Sequence, residues 1–165
     1  MDSDKDMIGE INPIFQDSAL LQRIHGFIPG HYVPSLSPEM YINDWALNSE
    51  YFTEIMHLLR STSETMKYRG MVEELVDVSS ATGNTSGREK EAVFRLCTAY
   101  LKLFFPHANS DLIRTLKFKQ EFDRYCLTPA KNMQETVLKQ MRFVNPGMFP
   151  DGNLGFSTYT VRWDA

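Results

Sequence analysis

Between Ser86 and Pro106 the chain carries apolar residues at helical spacing, and this stretch constrains the fold more than any other. Val93, Leu96, Cys97, Tyr100, Leu101 and Phe104 fall on one face, while charged residues occupy the rest. Ser86 and Glu89 fit the spacing of a capping box at its start, and Pro106 stops it. Such a helix must be covered by other elements, so it predicts the centre of a helical bundle.

Further helices are predicted around it. Asp17 is suited to cap a short helix carrying Ala19, Leu20 and Ile24, with Gly26 placed to end it in a left-handed turn. Tyr51, Phe52, Ile55, Leu58 and Leu59 predict a helix over about 48 to 60, with Asn48 or Ser49 as cap. A shorter helix is expected over 67 to 78, and 79 to 87 reads as a loop. Ser110 or Asp111 caps a helix that runs to Tyr125 and stops before Pro129, and 130 to 143 forms one more. After Asn145-Pro-Gly147 the pattern changes: Phe156, Tyr159, Val161 and Trp163 favour extended structure, as a short hairpin or an edge strand.

The expected organisation is an N-terminal arm over 1–16, a helical domain over 17–143 and a tail over 144–165. The arm contains Gly9 and Pro13 without helical periodicity, and needs a neighbouring surface to order it. From Phe27 to Asn43 three prolines and several aromatics suit an ordered loop that packs on something.

Composition removes several function classes. No apolar run approaches the roughly 20 residues that span a bilayer, and the acidic start does not resemble a secretory signal. A cytoplasmic protein without a membrane partner is expected. The net charge of −4 supplies no basic field for nucleic acid. Lys117, Lys119 and Arg124 alternate with acids, and no basic recognition helix follows a short glycine-containing turn, which disfavours a helix-turn-helix reader. Cys97 and Cys126 read as buried, reduced thiols. His25, His31, His57 and His107 lack zinc-ligand spacing, so no metal site is expected.

A phosphate-binding loop needs Gly-x-x-x-x-Gly-Lys followed by Ser or Thr, whose backbone N–H groups cradle phosphates while lysine and hydroxyl hold phosphate and metal. Ala81-Thr-Gly-Asn-Thr-Ser-Gly87 ends in arginine and lacks that lysine. It reads as an ordinary loop.

Three blocks in order carry a family resemblance. They are Asp17-Ser-Ala-Leu-Leu-Gln-Arg-Ile-His-Gly-Phe-Ile-Pro-Gly30, Tyr51-Phe-Thr-Glu-Ile-Met-His-Leu-Leu-Arg60, and Arg88-Glu-Lys-Glu-Ala-Val-Phe-Arg-Leu-Cys-Thr-Ala-Tyr-Leu-Lys-Leu-Phe-Phe-Pro106. Over about residues 13 to 143 the chain resembles the Lon-like AAA+ ATPases of bacteriophage-exclusion (BREX) systems, whose ATPase module is similar to the replicative MCM helicases.

The resemblance implies an arginine-finger and lid portion of a ring-forming ATPase. Arg23, in Leu20-Leu-Gln-Arg-Ile24, matches the finger that reaches a neighbouring subunit's γ-phosphate, where a planar guanidinium neutralises transferring phosphoryl oxygens. Arg95 matches the sensor 2 arginine of the lid helix, with Arg88 as second candidate. The P-loop, Walker B acids and sensor 1 would lie upstream of Met1, so ATP and Mg are expected only together with an α/β core. Partners implied are that core or further copies in a homo-oligomer, with DNA engaged through the parent assembly. No Ser/Lys protease pair of Lon type is expected in the last twenty residues.

A rival reading is a stand-alone helical interaction module that presents Tyr32, Tyr41 and Trp45 to a partner. Both readings require an exposed apolar patch. Arg23 separates them, because only the ATPase reading needs its guanidinium.

Overall fold

A computed structural model describes residues 6–9, 11–28, 30, 33–41, 44–46, 48–79, 87–148 and 157–163. Mainly α-helical, it carries six α-helices and one two-stranded antiparallel sheet among these residues. The central helix, α4 (Gly87–Phe104), buries Ala92, Val93, Phe94, Cys97, Thr98 and Leu101. It packs between α3 (Thr62–Leu75) and α6 (Thr128–Val144). Leu96 and Tyr100 are partly covered at the edge of the core, and Phe104 emerges into solvent.

The expected helix over 67 to 78 is corrected at both ends. It begins earlier, at Thr62, and gives way at Val76 to the strand β1 (Val76–Ser79). Val76 and Val78 are β-branched, and they pair with β2 (Thr158–Val161) in the register Val76↔Val161 and Val78↔Tyr159. The extended C-terminal segment is thus present, with its partner far upstream in the chain. Below the sheet, Val76, Tyr159 and Val161 join the main core. Arg162 fixes the pair by donating from its backbone N–H to Leu75 O at 2.8 Å and from Nε to Asp77 Oδ1 at 2.8 Å.

Glu89 ties the same strand to α4. Its Oε1 accepts from the Ser157 N–H and the Tyr159 hydroxyl, each at 3.1 Å. The other half of the expected capping box, Ser86, lies outside the described residues, as do 80–86 of the expected loop. Burial pushes the Glu89 carboxyl above its ordinary range, and the bonds from Ser157 and Tyr159 only partly offset this.

Between α4 and α6 the chain departs from the expected caps. Asn109 Oδ1 accepts from the N–H groups of Asp111 and Leu112, ahead of a 3-10 turn at Leu112–Arg114. Thr115, rather than Ser110 or Asp111, then caps α5 (Leu116–Phe122). Nor does Pro129 end a helix: it sits in the first turn of α6. A π turn at Asp123–Leu127 joins α5 to α6, with the Thr128 N–H reaching back to Asp123 O. That extra residue offsets the hydrogen-bond ladder just where proline has no N–H to give.

Cys97 and Cys126 are free and buried, and the Cys97 thiol lies 3.8 Å from Cys126 O. Burial raises both thiols, Cys126 to about 12, so neither is a ready nucleophile.

A second, smaller cluster forms where the N-terminal part crosses α6. Ile8 and Leu21 pack with Val137, Leu138 and Met141. Asp17 caps α1 (Ser18–Leu21), its carboxylate accepting from the Leu20 N–H at 2.9 Å. The helix ends sooner than expected, and Gly26 is not in the left-handed region. What Gly26 provides is clearance, because a Cβ there would collide with the side chain of Met133.

α2 (Ser49–Leu59) forms as its periodicity predicts and is capped by Asn48, yet none of its residues is buried. Lys102 Nζ donates to Leu59 O at 2.7 Å and to Thr65 Oγ1 at 3.1 Å, which staples the end of α2 to α4. With the preceding segment, α2 forms an uncovered apolar wing. Leu36 is 82% exposed and Trp45 94%, and Tyr41, Tyr51, Phe52 and Leu58 are exposed as well.

Two predictions follow from this division. Leu101→Ala, at the fully buried centre, should cost about 2–5 kcal/mol in urea denaturation, whereas Trp45→Ala should stay within about 0.5 kcal/mol of the parent chain. For Glu89, the folded state holds its proton more tightly than the unfolded chain. Raising the pH from the ordinary glutamate value of 4.5 through the elevated folded value therefore removes stability. Urea midpoints of Glu89→Gln should lack this loss, so the variant gains on the native chain between pH 4 and pH 8.

Candidate functional site

Arg23, Arg88 and Arg95 are all exposed. Arg23 follows the short α1 and is exposed, its Nη1 donating back to Ala19 O at 3.0 Å. That single contact leaves the guanidinium on the surface. Arg88, in the first turn of α4, donates from Nη1 to Gln22 Oε1. The structure thereby brings the start of α4 against the residue that precedes Arg23.

Arg95 lies seven residues beyond Arg88, nearly two helical turns and roughly 10 Å along the same stripe of α4. It joins an acid–base ladder between α4 and α3. Arg95 Nε donates to Glu91 Oε1 at 2.6 Å, Arg69 Nη2 to Glu91 Oε2 at 2.9 Å, and Arg69 Nε to Glu73 Oε1 at 2.9 Å. Burial alone would raise the Glu91 carboxyl, but the bonds from Arg95 and the Arg69 charge hold it below its ordinary range. Arg95 itself is mostly exposed, so its pairing with Glu91 is a weak, solvent-screened one.

Arg69 was not singled out by the sequence reasoning. Its guanidinium lies 4.8 Å from the centre of the Phe94 ring, and Lys90 Nζ approaches the same ring at 5.3 Å. The only trace in sequence is the spacing of Arg69 to Glu73 and of Glu91 to Arg95, each a helical i,i+4 pair. That the two pairs meet depends on how α3 packs on α4.

Beside this ladder an open groove of about 640 Å³ is lined by Arg69, Glu73, Asp77, Lys90, Glu91 and Arg162. Cations and acids alternate around it, so it has no single strong sign. Among the described residues no three His, Cys, Asp or Glu side chains converge as metal ligands, and no helix is long and apolar enough to cross a membrane.

Comparison with known proteins adds a family. Residues 1–155 match the model for the Lon-like protease BrxL-like ATPase domain. The chain is similar to the Lon-like protease BrxL of Escherichia coli O9:H4 (strain HS), at 28% identity over 141 residues, which cover 85% of this chain and 18% of that protein. It is also similar to the Lon-like protease BrxL of Bacillus cereus (strain H3081.97), at 26% identity over 124 residues, covering 74% of this chain and 17% of that protein. The chain thus spans less than a fifth of the length of these curated relatives.

Proposed function

The chain belongs to the Lon-like protease BrxL-like ATPase-domain family, and from that premise we propose that it supplies a trans-acting arginine finger and a nucleotide-sensing lid to an oligomeric phage-defence ATPase. The single observation that carries this reading is the placement of Arg23. Among the described residues, it is an exposed guanidinium held by one contact to its own short helix.

In this reading Arg23 leaves Ala19 O to meet the γ-phosphate bound by a neighbouring subunit. Arg95, with Arg88 as second candidate, faces nucleotide held by the α/β core of its own subunit. Arginine suits both positions because its charge is permanent and its planar fork matches phosphate oxygens. ATP and its magnesium are bound by the α/β part of the parent. Arg95 borders an open groove of about 590 Å³ shared with Arg69, Glu91 and Lys102, and Arg23 is exposed, which fits residues that complete a site supplied by another body.

The apolar wing is the surface on which that body packs. Ile14 and Phe15 of the N-terminal segment, then Leu36, Trp45, Tyr51 and Leu58, are too many large exposed side chains for a surface that meets only water. Any work on DNA belongs to the complete assembly in the cytoplasm, since this chain carries a net charge of −4. The alternative, a stand-alone interaction module, draws on the same wing. Tyr41 and Trp45 are exposed as that reading needs, and Tyr32 lies outside the described residues.

Arginine replacement decides between them. In a parent protein that joins this sequence to a nucleotide-binding core, Arg23→Ala should lower ATP turnover about a thousandfold while leaving ATP affinity within a few-fold, and Arg23→Lys should not restore it. Arg95→Ala should weaken ATP binding. Unchanged turnover and affinity in both variants would favour the interaction module.

A further inference from the structure

A second cavity, away from Arg23 and Arg95, lies between the first halves of α4 and α6 and the start of β2. It measures about 220 Å³ and is lined by Glu89, Val93, Lys131, Gln134, Ser157 and Tyr159. Two of its oxygens are almost completely withdrawn from solvent. Gln134 is 5% exposed, and its Oε1 has no hydrogen-bond partner. Ser157 is also 5% exposed, and no hydrogen bond of good geometry reaches its Oγ. Glu89 is 7% exposed.

Buried polar atoms nearly always have partners, and leaving one without costs its full desolvation. An unpaired carbonyl oxygen demands a donor. The neighbouring carboxylate asks for positive charge, yet among the described residues no cation pairs with it. Lys131, on the rim of the same cavity, is directed instead to Tyr159 O, to which its Nζ donates at 3.2 Å.

We propose that this cavity is a receptor for a guanidinium group, which donates to Gln134 Oε1 and Ser157 Oγ and sets its charge against Glu89, with its aliphatic stem along Val93. Ordered water satisfies the two neutral oxygens but brings no charge to the carboxylate. A guanidinium does both, because its five N–H groups spread in a plane and reach acceptors placed on three separate elements. An ammonium concentrates its donors at one point and suits this arrangement less well. The volume accommodates the planar head and several methylenes.

The test is a titration of the ¹⁵N-labelled full chain followed at the Gln134 side-chain amide and the Ser157 backbone N–H. Methylguanidinium chloride should give saturable shifts at roughly millimolar concentration, as befits so small a ligand. Methylammonium and urea, at matched ionic strength, should bind about tenfold more weakly or not at all. Glu89→Gln and Gln134→Leu should each weaken the response about tenfold or more. The three-probe comparison on the native chain stands even if a variant misfolds.

Two further ligands identify the source of the group. Blocked arginine amide binding as tightly as methylguanidinium assigns the cavity to an arginine side chain of a polypeptide. Binding of methylguanidinium and free arginine, with the blocked form excluded, assigns it to a small metabolite. Absence of saturation, or equal affinity for urea or methylammonium, would overturn the proposal.

Discussion

Everything in this molecule depends on covering α4. Its buried stripe, from Ala92 through Leu101, is too long to be shielded by any one neighbour, so the fold places α3 on one flank and α6 on the other. The remaining opening is closed by Tyr159 and Val161, delivered by a strand that returns from the end of the chain. Glu89 secures that strand to the first turn of α4. A polar clamp therefore holds together parts that are 68 to 70 residues apart in sequence.

The same requirement explains what stays uncovered. Once α3, α6 and β2 have closed around α4, α2 buries none of its residues fully, and Lys102 holds its end by donating to Leu59 O. Its amphipathic sequence still makes it a helix, but it faces outward with Trp45 and Tyr51 alongside. The chain that carries this surface belongs to the Lon-like protease BrxL-like ATPase-domain family and spans less than a fifth of the length of its curated relatives. The charged stripe carrying Arg88 and Arg95 runs along α4 on the side away from the core, so these arginines and the buried stripe use different faces of one helix.

Local periodicity made much of the fold legible. The stripe from Val93 to Leu101, the Asp17 and Asn48 caps and the extended C-terminal segment were all expected, because each rests on neighbours in sequence. What escaped was non-local. Val76 leaves the helix because Val161 waits opposite it, and Pro129 is tolerated because a π turn precedes it. Gly26 leaves room for Met133 and does not form a left-handed turn. Of the candidate site, Arg23, Arg88 and Arg95 were identified through family resemblance, and their roles remain a proposal. The joining of Arg69 to Glu91, and the burial of Gln134 beside Glu89, depend on packing between helices that no spacing reveals.

Amide hydrogen exchange of this chain, alone and with the remainder of a full-length relative, tests the central claim most directly. That claim is a self-sufficient core around α4 carrying a wing built to be covered. α4 and α6 should be protected in both samples, while α2 and residues 33–41 and 44–46 should exchange rapidly alone and slow by at least tenfold when the remainder is added. Protection of α2 in the isolated chain, or rapid exchange that persists with the remainder present, would contradict it.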